Sequence, residues 1–258
     1  MPSIEIRDLS FSYTDSPEGK KALDSVSLSI EDGEFLCVIG ASGCGKSTLL
    51  RVLAGLEAPK SGKVFVGETE INGPGSERMI VFQDYALFPW MTAKKNISFA
   101  VRRARKVSKT EAENIAEDFL TKVNMDKSAL LYPCQMSGGM KQRVAIARAL
   151  AMDTDILLLD EPFGALDAKT RGQLQDLLLG LWLNDGKKKK TVVFVTHDIT
   201  EAVLLADHVV YMTPARIKDE LYIDLPRPRI EDESFQEYRE RLLSLFEEGK
   251  EEKMNYEK

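Results

Sequence analysis

Gly40-Ala41-Ser42-Gly43-Cys44-Gly45-Lys46-Ser47 puts glycines where a backbone must bend tightly, then a lysine and a hydroxyl at the far end. The spacing fits G-x-x-x-x-G-K-[ST], a loop that cradles phosphate. Glycine lets successive N–H groups point inward, and a helix beginning at the end of the loop adds partial positive charge that favours an anion. In that arrangement Lys46 reaches the β- and γ-phosphates of a nucleotide. Ser47, followed by Thr48, offers its hydroxyl to Mg²⁺, an ion that keeps mostly water and phosphate oxygen around it. A glycine-rich turn that matches by accident is the competing reading. The apolar run Phe35-Leu36-Cys37-Val38-Ile39 before the loop and the helix-like residues 48–54 after it argue for the phosphate site.

Other residues fit the same chemistry. Ile156-Leu157-Leu158-Leu159 is too short for a helix and reads as a buried parallel strand that ends in Asp160-Glu161. Asp160 can hold Mg²⁺ through water, and Glu161 can orient an attacking water as a general base; two carboxylates capping a loop is the plainer alternative. His197, in Thr196-His197-Asp198, follows the strand Thr191-Val192-Val193-Phe194-Val195, where a neutral imidazole can sense the γ-phosphate. Gln83 ends the run Met79-Ile80-Val81-Phe82, expected as a buried strand, and can reach Mg²⁺ or the lytic water. Tyr13 can stack on a base, or simply pack. Ser137-Gly138-Gly139 predicts a capped helix whose exposed N–H groups form a second anion site. One nucleotide held by its own loop needs no second phosphate site, so this one suits a neighbour's nucleotide; a plain capped helix is the competing reading. Cys44, near a helix N-terminus, is expected as a reactive thiolate protected by MgATP.

Length and composition allow these parts to fold. The chain has 258 residues, 43% of them hydrophobic, enough for one large domain or two small ones. A net charge of −6 argues against a nucleic-acid footprint. Three cysteines without paired metal-ligand spacing suggest a reducing compartment. No apolar run approaches the roughly 20 residues needed to span a bilayer. Alternation at Ile4, Ile6, Leu9 and Phe11, and again at Val26-Ser27-Leu28-Ser29-Ile30, predicts an antiparallel sheet with a hairpin across the loop that holds Thr14 to Gly19. Helical periods dominate from about 86 to 153. They include a capping box at Ser108-Lys109-Thr110-Glu111 and a helix with Ile115, Phe119, Leu120 and Val123 on one face. The α/β alternation resumes with a helix carrying Leu174, Leu177, Leu178 and Leu181. Asn184-Asp185-Gly186 followed by Lys187 to Lys190 reads as a turn and a solvated loop, with a contact for anionic lipid or polymer as the alternative. Leu87-Phe88-Pro89-Trp90-Met91 is either packed under the helices or a groove for a partner.

In order, Tyr13, Gly40 to Ser47, Gln83, Ser137-Gly138-Gly139-Met140-Lys141-Gln142, Asp160-Glu161, Ala165-Leu166-Asp167 and His197 resemble the ATP-binding cassette (ABC) proteins from residue 3 to about 212. Met136 and Met140 stand where that family often has Leu and Gln. The resemblance implies an α/β fold, a P-loop NTPase of the ABC ATPase type with an antiparallel β subdomain and an inserted helical subdomain, over residues 3–225. A charged, partly helical tail is expected over residues 226–258. It also implies ATP and Mg²⁺ as cofactors, with Tyr13, residues 40–48, Ser137, Gly138, Gly139 and Asp167 on the nucleotide. Ser47, Gln83 and Asp160 would serve the metal, and Glu161, His197 and Gln83 catalysis. Implied partners are a second copy in a head-to-tail dimer, membrane-spanning permease subunits and, indirectly, a solute-binding protein. The expected place is the cytoplasmic face of the cell membrane. Met-Ser-Gly-Gly-Met-Lys-Gln-Arg and Tyr85-Ala86-Leu87-Phe88-Pro89-Trp90 look most like the nitrate, sulfonate and taurine importers. A soluble ABC ATPase acting on DNA or ribosomes, an exporter cassette and a P-loop kinase are the rivals. The kinase leaves Ser137-Gly138-Gly139 unexplained.

Overall fold

Even-numbered Ile4 and Ile6 and odd-numbered Leu9 and Phe11 cannot face one side of a regular strand, because side chains alternate with period two. All four are buried in β1 (Ile4–Ser12), and the register shifts between Ile6 and Leu9, where Asp8 takes φ 47°. A bulge there absorbs the extra residue. β2 (Lys21–Ile30) repeats the device: Ser25 at φ 53° lies between buried Leu23 and buried Val26.

The structure is a computed structural model that describes residues 3–13, 21–164, 166–183 and 189–256, of which the side chains up to 248 are considered. Thr14 to Gly19, Ala165, and Asn184 to Lys188 lie outside the described residues. The chain forms two compact units, one made by the segment up to Gly75 with that from Thr191 onward, the other by Ser76–Lys190.

In the first unit β1 pairs antiparallel with β2 and with β4 (Ser61–Val66), and β5 (Thr69–Glu70) completes the order β2-β1-β4-β5. β3 (Phe35–Gly40), buried throughout, lies between the parallel strands β8 (Thr191–Val195) and β9 (His208–Thr213). Its loop leads into α1 (Lys46–Leu53), and α6 (Ile199–Leu205) follows β8. β10 (Arg216–Tyr222), which the sequence reading overlooked, pairs antiparallel with β9. Arg216, Lys218, Asp219 and Glu220 dilute its apolar signal, and only Leu221 is buried. Beyond it, α7 (Glu233–Tyr256) packs against α6 with Phe235 and Leu242 buried. Arg229 joins this segment to the unit by donating to the carbonyls of Val203, Ala206 and Ile223. Burial pushes its guanidinium down to about 10.

In the second unit β6 (Arg78–Val81) runs parallel to β7 (Ile156–Asp160). The expectation of a buried strand holds for β7 but not for β6, where Arg78, Met79 and Ile80 are half-buried and only Val81 is buried. Among the described residues of this unit β6 pairs with one strand, β7, and also meets α4. Three helices pack together: α2 (Ala93–Arg105), α3 (Lys109–Lys122) and α4 (Gly138–Met152). Each starts at a hydroxyl cap, with Thr92, Ser108 and Ser137 accepting from the N–H three residues on. Ile115 is only half-buried; Ala112 and Ala116 complete the inner face of α3. In α5 (Ala168–Trp182) Leu174 and Leu178 are buried as expected, Leu177 and Leu181 are half-buried, and Trp182 closes the helix. Lys190 is not solvated: its ammonium donates to Asp153 Oδ1 and to the Thr154 carbonyl, both at 2.7 Å.

Candidate functional site

In the first unit β3 ends at Gly40, where a Cβ would fall 2.3 Å from the Met212 carbonyl oxygen and 2.9 Å from Cys44 Sγ. Gly45, at φ +117°, faces the Ala22 oxygen at the same 2.3 Å. Side chains are excluded at both, which explains the glycines at the two ends of the motif. Ala41, Ser42 and Gly43 form its exposed arch, and Lys46 braces it by donating to the carbonyls of Gly40 at 2.8 Å and Ala41 at 3.0 Å. α1 then begins at Lys46 with no acidic residue in its first turn, so its positive end is uncompensated by its own side chains. Tyr13 is exposed, edge-on to Phe11 at 5.0 Å, with its hydroxyl 2.9 Å from Thr48 Oγ1. That bond ties the tyrosine to the first turn of α1. His197 is exposed in the turn between β8 and α6. Its neighbours fix that turn: Thr196 donates to Glu201 at 2.7 Å, and Asp198 accepts from the N–H groups of Thr200 and Glu201.

Cys44 departs from its expectation. It is 2% exposed, and burial pushes its thiol above the ordinary range more than Lys46 draws it down. The side chain turns inward behind the loop, where a thiolate is poorly solvated.

In the second unit β7 delivers Asp160, which is buried, and then Glu161, held at φ 46°. Gln83, just past β6, donates from Nε2 to Glu161 Oε2 at 3.4 Å. Two residues far apart in sequence and assigned to the same reaction thus meet. Gln142 of α4 reaches the Glu161 carbonyl from its other side, also at 3.4 Å. Ser137 caps α4 by accepting from Met140 N at 3.3 Å. Gly138 has no positive φ, and a Cβ there would meet only Tyr85 Oη at an ordinary 3.5 Å, so the chain's own packing does not demand glycine. Asp167 caps α5, accepting from Thr170 N at 3.0 Å and Thr170 Oγ1 at 2.7 Å. Those bonds hold its carboxyl below the usual range.

Sequence reasoning missed two positioning residues. Arg148 of α4 donates to the Ala86 and Tyr85 carbonyls at 2.9 and 3.3 Å, where Tyr85 and Ala86 take φ 67° and 41°. It ties the helix that begins at Ser137 to the segment that begins at Gln83. Asn96, fully buried, donates to the carbonyls of Phe88, Met91 and Thr92 and accepts from Phe88 N at 2.8 Å. Both lie in helices whose polar residues read as surface, and neither belongs to a spaced motif. The loop they hold presents Trp90, 69% exposed, while Phe88 sits between Trp90 and Phe99 at 5.6 Å from each ring.

A glycine-shaped phosphate loop after a buried strand, with a carboxylate pair at the end of another and a serine-capped glycine helix, defines a P-loop nucleotide hydrolase. The family profile described as ABC transporter matches residues 23–164. The nitrate import ATP-binding protein of Synechococcus elongatus is 46% identical over 233 residues, 87% of this chain and 84% of that protein. The bicarbonate transport ATP-binding protein of Synechocystis is 48% identical over 234 residues, 89% and 82% of the two chains. A solved ATP-binding cassette, a dimer in a post-hydrolysis state bound to ADP and Pi, superposes with TM-score 0.79 at 32% identity, over 86% of this chain and all of that one. This chain belongs to the ABC transporter family, and it is an ATP-binding ATPase of that family.

Proposed function

We propose that this ATPase energises a membrane importer for a small solute, closing and opening as a head-to-tail pair beneath permease subunits. Tyr13 and residues 40–48 bind ATP, Glu161 acts as general base with Gln83 and His197 beside the reaction, and Ser137, Gly138, Gly139 and Asp167 engage the nucleotide of the second copy. The observation that carries the pairing is Gly138: its own chain leaves room for a side chain, so what needs the space comes from outside. The cassette bound to ADP and Pi is dimeric, which supports the same reading.

Mg²⁺ fits the residues present. Ser47 in the first turn of α1, Gln83 just past β6 and buried Asp160 at the end of β7 offer oxygen donors, the type this ion takes alongside phosphate and water. When bound it would neutralise charge on the phosphates.

Attachment to the permease is assigned to the loop carrying Trp90, on the cytoplasmic face of the membrane; no helix among the described residues is long and apolar enough to cross one. The relatives named for nitrate and bicarbonate support a small oxyanion, with nitrate, sulfonate and taurine as the solutes to test. Deleting the gene and growing cells on each as sole nitrogen or sulfur source tests it: loss of growth on one, restored by the gene, is expected. Unimpaired growth and uptake on every candidate would remove the assignment.

A further inference from the structure

α2 carries no acidic residue: between Ala93 and Arg105 its charged side chains are Lys94, Lys95, Arg102, Arg103 and Arg105, and Lys106 caps it. Two of these cations turn back to the protein, Lys94 to Glu117 at 2.6 Å and Arg105 to Asp153 at 4.0 Å. Lys95, Arg102, Arg103 and Lys106 are exposed, and their side chains make no ion pair among the described residues. Lys95, Phe99 and Arg102 follow at i, i+4 and i+7, so they share one face of the helix, and Lys106 follows as its left-handed C-cap. Phe99 is 41% exposed, and the Arg103 guanidinium stands 5.8 Å over its ring. The result is a straight cationic strip of roughly 16 Å, with one aromatic in it, on a chain whose net charge is −6.

We infer that this strip rests on the anionic lipid headgroups of the membrane in which the proposed permease sits, an inference that rests on the importer reading. Long basic side chains interleaved with an aromatic suit a headgroup layer, where cations meet phosphates and the ring lies at the boundary. The strip is spread along three turns of one helix, which suits an extended surface better than a single point ligand. It also continues the loop assigned to the permease, since Phe99 contacts Phe88 of that loop.

Sedimentation of the purified chain with vesicles tests this. The chain should pellet with equimolar phosphatidylglycerol and phosphatidylcholine at low salt, stay in solution with phosphatidylcholine alone, and be released as salt rises. Arg102→Gln, Arg103→Gln and Lys106→Gln together should lower partitioning about a hundredfold, with melting temperature and ATPase rate in solution unchanged. Equal binding to both vesicles, no binding to either, or full binding by the triple variant would overturn the inference. So would a triple variant that loses the permease in detergent when the parent never binds vesicles, since the strip would then be a protein contact. If the parent binds anionic vesicles but captures no permease, the importer reading fails while the lipid contact stands.

Discussion

Gln83 already donates to the carboxylate that is assigned to take a proton from water, so Glu161 is oriented by the segment that also carries the loop proposed to meet the permease. Glu161→Gln keeps the shape and removes the base. Turnover should drop by about 10² to 10⁴, while ATP still binds and an ATP-loaded dimer accumulates on size-exclusion chromatography; near-parental turnover would take Glu161 out of the reaction. The cysteines give a prediction opposite to the one their sequence neighbourhood suggests. Cys134 is exposed and Cys44 buried with its thiol pushed up, so maleimide should label Cys134 first and leave most ATPase activity. Mass spectrometry of the singly labelled protein decides it, and rapid modification of Cys44 would contradict the burial. The bend of the loop was legible because motif spacing encodes backbone shape, and Gly40 and Gly45 stand where a Cβ would collide. Whether a thiol on that loop faces in or out was not, since the inward turn depends on the close approach of Gly40 to Met212, far along the chain.

α4 begins with glycine at a position where alanine would fit and would favour the helix, by up to roughly 0.5–1 kcal/mol as in helix interiors. Gly138→Ala should therefore melt no earlier than the parent. ATP-dependent dimerisation should weaken about tenfold to a hundredfold, the range for losing a charge-assisted hydrogen bond to phosphate. Earlier melting with intact dimerisation would return Gly138 to a role inside its own fold. The strands show why element boundaries were read well and their regularity less so. β1 looked weakly alternating and β2 was read only over its regular half, Val26 to Ile30, because a bulge near Asp8 and a left-handed Ser25 each shift the inward parity by one residue. A residue that changes register leaves no mark of its own type, only a phase change in its neighbours.

At the scale of the molecule, charge hid structure twice. β10 went unread among its ionisable residues although Leu221 is buried, and in the charged, partly helical tail the composition did not show that Arg229 spans several backbone carbonyls, while Phe235 and Leu242, on the amphipathic face of the expected helix, are buried. Such anchoring depends on tertiary partners, which local composition does not show. Trp90 is the reverse case: a large apolar residue that the fold leaves in water. Trp90→Ala should keep melting temperature and basal ATPase, while binding of the permease weakens by about 2 kcal/mol or more and transport stops. Earlier melting with the permease still bound per folded molecule would make Trp90 part of the core. The loop that displays it is held from beneath by Asn96, whose amide engages backbone at Phe88, Met91 and Thr92 rather than any side chain there. The outline of the loop is thereby independent of the residues that decorate it. If the proposed permease docks here, Trp90 or Met91 can be exchanged to match a different partner without redrawing the socket, so the same engine is refitted by changes at its rim.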